Sequence, residues 1–190
     1  MYVGVDIGLK GAIVALAVDG SLAGQYMMPV VGTYSAPRRV DRVAVKALVA
    51  SLAAARPRVA IEAPQQRRIH CERCGIRQGF DLASIKMQSH AEIWRTAFWG
   101  HTRSWDEVQP RSWRAILKGY MRSPRPHRAE WKAAAISYSK ILYPALDLTP
   151  GKIRVPHDGI AEAALIATWL RSKALGEGIY SVASNATGNK

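Results

Sequence analysis

Four carboxylates stand where this chain has little else that is polar. Asp6 closes the apolar run Tyr2-Val-Gly-Val-Asp6 and is followed by Gly8. Glu62 lies within Val59-Ala-Ile-Glu62-Ala-Pro64, and Asp158 and Glu162 open the alanine-rich stretch His157-Asp158-Gly-Ile-Ala-Glu162-Ala-Ala-Leu165. A carboxylate in apolar surroundings takes up a proton or finds a cation. Glu62, between Ile61 and Ala63, is the hardest of the four to leave unpaired. Asp158 and Glu162 are four residues apart, so both project from one face if Asp158 sits at a helix start, and they repel unless a positive charge lies between them. Hard oxygen ligands suit Mg2+ or Mn2+, and three or four carboxylates can hold two such ions about 4 Å apart, the arrangement used for in-line displacement at phosphorus. Taken singly, each acid has a plainer role: a turn residue for Asp6, a helix N-cap for Asp158, a remote arginine for Glu62, a solvated helix face for Glu162. Those roles do not require all four to fall at the ends of apolar segments. The expectation is one catalytic metal site made by Asp6, Glu62, Asp158 and Glu162.

Charge narrows the substrate. The 190 residues carry 27 Lys+Arg against 14 Asp+Glu, a net charge of +13 and a pI near 10.2. A polyanion is the natural partner, gripped by guanidinium groups and favoured by counterion release. The candidate nucleic-acid contacts are Lys10, then Arg67, Arg68, Arg73 and Arg77, then Arg111, Arg114 and Lys118. The last group begins a basic run that continues through Arg128 and Lys132 and is interleaved with Trp113, Tyr120 and Trp131. The plainer alternative is a generally basic surface. A membrane role is disfavoured, because no apolar anchor and no strongly basic amphipathic terminal helix is present.

The elements needed to position these residues read β-β-β-α-β-α-β-α-α. Tyr2 to Asp6, Ala12 to Val18 and Leu22 to about Met28 form an antiparallel meander that turns at Asp19-Gly20. Val40, Val43, Ala47, Leu48 and Leu52 recur at helical spacing, and Arg56-Pro57 stops that helix before the strand carrying Glu62. The crossover makes that fourth strand parallel to the first. A helix marked by Leu82, Ile85, Ile93, Trp94, Ala97 and Phe98 leads to a short strand around Trp105 to Val108, and Pro110 suits a first helical turn. Trp131, Ala134, Ala135, Tyr138, Ile141 and Leu142 mark a further helix, and the last runs from about Asp158 to Leu175. The predicted fold is α/β: a mixed five-stranded sheet with helices on both faces. One domain is expected over residues 1–175, followed by a loose tail over 176–190 rich in Gly, Ser, Asn and Thr. The first strand begins almost at Met1, so no targeting segment is expected and the cytoplasm is the expected compartment.

The Gly4-Val-Asp6-Ile-Gly8 start, the Ile61-Glu62-Ala-Pro64 strand, the Val108-Gln-Pro110-Arg-Ser-Trp113 segment and the His157 to Leu165 ending occur in an order that resembles the ribonuclease H-like superfamily. The resemblance is closer to the RuvC-type Holliday junction resolvases and their phage and organellar relatives. It extends from the first residues to about Leu175. It implies a homodimeric, Mg2+- or Mn2+-dependent endonuclease that nicks four-way DNA junctions symmetrically, with Asp6, Glu62, Asp158 and Glu162 as the metal-binding acids. Two-fold symmetry suits a substrate with two equivalent strands. Many relatives carry aspartate where Glu162 stands, and some space the last pair by three residues. His157 precedes the helix start and could approach a scissile phosphate. The segment over 65–80 falls where relatives place junction-contacting and dimer-proximal residues.

Cys71-Glu-Arg-Cys74 departs from that pattern. A structural zinc at Cys71 and Cys74 would need two more ligands, from His70, His90 or a second chain, so a reduced pair is the simpler expectation. Trp94, Trp99, Trp113, Trp131 and Trp169 fall mostly on apolar helix stripes and read as core. Trp105 or Tyr34 could instead stack on a base. Other functions on the same strand arrangement are a nuclease for RNA-DNA hybrids or forks, a non-catalytic junction binder, and a lobe of an actin-like ATPase or sugar kinase. The last needs a second lobe and a second glycine-rich phosphate loop, which this chain lacks.

Overall fold

The computed structural model describes residues 1–33, 37–65, 68–70, 77–121, 126–152 and 154–177. Strands β1 (Tyr2–Val5), β2 (Ala12–Leu16) and β3 (Leu22–Met27) form the meander, with Gly20 at φ 94 closing the β2–β3 turn and Asp19 Oδ1 accepting the Ser21 N–H at 2.9 Å. Helix α1 (Arg42–Ala53) then crosses over to β4 (Arg58–Glu62), which lies parallel to β1. Helix α2 (Leu82–Phe98) leads to β5 (Ser104–Val108), parallel to β4. The sheet order is β3-β2-β1-β4-β5, the mixed five-stranded sheet expected from the sequence. After it come the single turn α3 (Pro110–Trp113), a 3-10 turn over Arg114–Leu117, α4 (Arg128–Leu142) and α5 (Asp158–Leu175).

The two-residue period of the strands divides the core between the sheet's faces. Tyr2, Val14, Leu16, Ala60 and Val108 pack with α4 and α5, whereas Val3, Val5, Ile13, Val59 and Ile61 pack with α1 and α2. Asp6 and Glu62 continue the first series, so both face α5. That helix lies unusually close to the sheet. A Cβ on Gly4 would collide with the Ala163 carbonyl and the Ala167 amide, so glycine in β1 and alanines one turn apart in α5 let the two backbones nearly touch.

Several details differ from expectation. His157, not Asp158, is the α5 N-cap, its Nδ1 accepting the Ile160 N–H at 3.3 Å; Asp158 is the first helical residue. On α1 the buried stripe is Val45, Val49 and Leu52, and Val43 is exposed in the first turn that Asp41 caps. Leu82 and Ile85 of α2 are likewise exposed, while Ala91, Trp94 and Phe98 carry its burial. Trp99, the residue at which the helix ends, is 80% exposed: it lies off the face that buries Ala91, Trp94 and Phe98. Trp105 packs against Phe98 at 6.1 Å instead of standing free for a base, and Tyr34 lies outside the described residues. Two small antiparallel pairs had no signal in the sequence, Val30–Val31 with Arg39–Val40 and Arg68–His70 with Arg77–Phe80, since such short strands show no alternation. No helix among the described residues is long and apolar enough to cross a membrane.

Candidate metal centre

Asp6 and Glu62 meet because β1 and β4 are parallel neighbours in step. The register pairs Gly4 with Ala60 and Val5 with Ile61, and each acid follows directly. Asp6 Oδ1 accepts the Gly8 N–H at 3.2 Å, which fixes the carboxylate over the β1–β2 turn. The start of α5 presses on that same turn. A Cβ on Gly159 would lie 2.9 Å from Gly11 Cα and 3.0 Å from Asp6 Oδ2, so glycine here lets the helix start touch the turn. One turn into the packed helix, Glu162 reaches the two strand acids. Carboxylate oxygens of Asp6, Glu62 and Glu162 all lie within 4.8 Å of one another.

None of these three acids has a lysine or arginine at ion-pair distance among the described residues. Burial raises the Asp6 pKa to about 6; the Gly8 N–H opposes the rise and the Asp158 charge adds to it. Glu62 rises to about 8, from burial first and then from the charges of Asp6 and Glu162. Glu162 rises to about 7 through burial and Asp6. Three half-buried, mutually repelling carboxylates with no ion-paired cation among the described residues are the environment a divalent cation relieves, and the all-oxygen donor set fits Mg2+ or Mn2+.

Asp158 is brought to the same cavity but not into the group of three. Its carboxylate is ion-paired to Lys132 of α4. Burial alone would raise its pKa, but the Lys132 ammonium outweighs that and holds it below the ordinary carboxylate value. His157, at the mouth of α5, is pushed below its ordinary value by burial.

The acids share a cavity of about 680 Å³ with a basic and aromatic wall that includes Lys10, Arg114, Arg128, Trp131 and Lys132. The Arg114 guanidinium carbon lies 5.0 Å from the Trp113 ring centre and 5.7 Å from that of Trp131. This cation–π contact with both indoles holds the charge where it lowers the pKa of Asp6, Glu62 and Glu162 without pairing with any of them. Trp113 is therefore core, as expected, whereas Trp131 lines the cavity.

Of the other predicted DNA contacts, Lys10 lines the cavity, and Arg111 and Lys118 are exposed outside it. Arg67, Arg73, Cys71 and Cys74 lie outside the described residues, as do the side chains of Arg68 and Arg77. His90, a possible zinc ligand in the sequence, has Nδ1 3.2 Å from the Ile7 carbonyl oxygen. Sequence reasoning did not single out Arg128 and Lys132 as site residues. Their signal was available in the basic run: with Trp131 they are spaced three and four apart, one face of one helix.

No protein-family model matches the chain, and no curated protein matches its sequence. Solved structures do match its fold. The Thermus thermophilus RuvC in complex with a Holliday junction substrate aligns over 92% of this chain and 93% of its own, with a TM-score of 0.52 at 15% identity. A second Thermus thermophilus RuvC structure aligns over 92% and 95%, with a TM-score of 0.50 at the same 15% identity. The chain thus has a RuvC-type fold of the ribonuclease H-like α/β class.

Proposed function

We propose that this chain is a divalent-metal-dependent endonuclease that resolves four-way DNA junctions by paired nicks, acting as a homodimer. The observation that carries the reading is the convergence of Asp6, Glu62 and Glu162 within 4.8 Å, unpaired and beside a cationic wall, in a chain of net charge +13. The RuvC-type fold, one solved example of which holds a Holliday junction, supports the choice of substrate.

Asp6, Glu62 and Glu162 would hold Mg2+ or Mn2+, with Asp158 available to a second ion. Bound there, such ions supply an activated water and charge neutralisation at the phosphorus and leaving oxygen. The chain's own groups do the rest. Arg114, held between two indoles, presents a planar guanidinium to a phosphate without first having to leave a carboxylate. Lys10 and Arg128 extend the positive wall along the strand being cut. His157 accepts the Ile160 N–H on Nδ1, so its neutral ring carries the proton on Nε2.

The test is incubation with a mobile four-way junction, a replication fork, a linear duplex and an RNA-DNA hybrid, with and without Mn2+. Paired nicks in the junction that require Mn2+ are expected. Preferential cutting of the hybrid would move the assignment to a ribonuclease H activity.

A further inference from the structure

Asp158 is the one acid of the four that already has a cation. Lys132 and Asp158 project from α4 and α5, which pack along one another, so the two backbones are fixed and the flexible lysine stem is the movable part. Their side chains are 38% and 32% exposed, so the pair faces the cavity and not the core. An ion pair in that position is weakly held, because water and other anions reach both partners. The neighbouring acids are in the opposite situation: three carboxylates lie within 4.8 Å of one another, with no ammonium or guanidinium paired to them among the described residues.

We propose that Lys132 is a resident counter-cation standing in for the second divalent ion: the free protein takes one ion at Asp6, Glu62 and Glu162, and a second only when Lys132 leaves Asp158. This rests on the metal-dependent reading above. While the ammonium neutralises Asp158, a divalent ion arriving between Asp158 and the cluster meets both reduced negative charge and a like charge. A phosphodiester entering the cavity gives Lys132 another anion to pair with and frees Asp158. Substrate arrival and completion of the metal site are then coupled, and the free enzyme is held in an incomplete state.

The experiment is Mn2+ titration of the free protein, followed by the EPR signal of unbound ion, on wild type, Lys132→Met and Lys132→Met/Asp158→Asn, with thermal melts confirming folding. Wild type is expected to bind one Mn2+ tightly. Lys132→Met, which keeps the stem and removes the charge, is expected to bind a second at least about tenfold more tightly than wild type, within the usual range for neighbours of a metal site. The double variant returns to one ion. Lys132→Gln serves as a second charge-removing variant should the methionine disturb folding. Two tight ions on free wild type, or unchanged stoichiometry and affinity in both lysine variants, would overturn the counter-cation role while leaving the metal site intact. No Mn2+ bound to wild type or either lysine variant would overturn the metal-dependent reading and this inference with it.

Discussion

Asp6 and Glu62 leave neighbouring parallel strands at the same level, each one residue beyond the register pair Val5–Ile61. Parallel strands in step present their C-terminal ends together, and alternation turns both carboxylates toward α5, whose second turn supplies Glu162. The site is thus built from three backbone placements, and its geometry depends on how closely α5 approaches the sheet.

That approach is set at Gly4. Gly4→Ala drives a methyl into the α5 backbone at Ala163 and Ala167, where no side-chain rotation relieves it. The expected cost is about 3 kcal/mol, the upper end for overpacking, together with weakened Mn2+ binding as Glu162 is pushed away. Urea denaturation and Mn2+ titration of the same variant check both. Wild-type stability in Gly4→Ala would mean that the close packing does not hold the site.

Raised carboxylate pKa values set the sign of the pH dependence. Asp6, Glu62 and Glu162 move from 3.8, 4.5 and 4.5 to about 6, 8 and 7, so the metal-free folded state holds more protons than the unfolded chain between those limits. Their stabilisation is full below pH 3.8 and is lost as pH rises through about 6 to 8. Asp158, with its lowered pKa, acts in the opposite sense only in acid, and His157 and His90, lowered by burial, do so only below their ordinary value of 6.5. The melting temperature in EDTA should fall by at least about 3 °C on going from about pH 5 to pH 8, the effect of ~1 kcal/mol in a chain of this size. Excess Mn2+ at the higher pH should restore it. A metal-free melting temperature that climbs over this interval would contradict the assigned shifts.

Glu162 and Asp158 should separate on substitution. Glu162→Gln removes one of three converging carboxylates and should weaken the tight Mn2+ by roughly tenfold or more. Asp158→Asn should leave that ion in place, because Asp158 lies outside the group of three and is paired to Lys132. Calorimetric titration of both variants measures the difference. Equal losses would place the two acids on one ion.

Arg114 is expected to act on phosphate and not on metal. Arg114→Lys loses the planar group between Trp113 and Trp131 and should slow junction cleavage about tenfold with Mn2+ affinity little changed. Junction binding by wild type should decline steeply with salt, as expected for a chain of net charge +13. Salt-independent binding would count against the phosphate grip.

The succession of elements, the meander and the parallel crossover were legible because they follow from local signals: apolar runs, the Asp19-Gly20 turn, and one helix between two parallel strands; the level of Asp6 with Glu62 followed only once β1 and β4 proved to be neighbours. The grouping of the acids was legible only in part. Four-residue spacing puts Asp158 and Glu162 on one helical face, but which of them reaches Asp6 depends on the rotation of α5, and that is set by the fit of Gly159 and Ala163 against β1 and its turn. The Lys132–Asp158 pair joins positions 26 apart on different helices, and no local pattern encodes it. Trp131 read as core because it shares a helical stripe with Ala135 and Tyr138. It stands at the margin of that stripe, where its ring covers Arg114.

The most direct measurement compares wild type with Asp6→Asn on a four-way junction, scoring cleavage in Mn2+ and binding in EDTA. Asp6→Asn removes a proposed metal ligand and leaves the basic wall untouched. The prediction is paired, Mn2+-dependent nicks by wild type, loss of cleavage by at least about a hundredfold in Asp6→Asn, and junction affinity within a few-fold of wild type. Undiminished cleavage by Asp6→Asn would contradict the account at its centre.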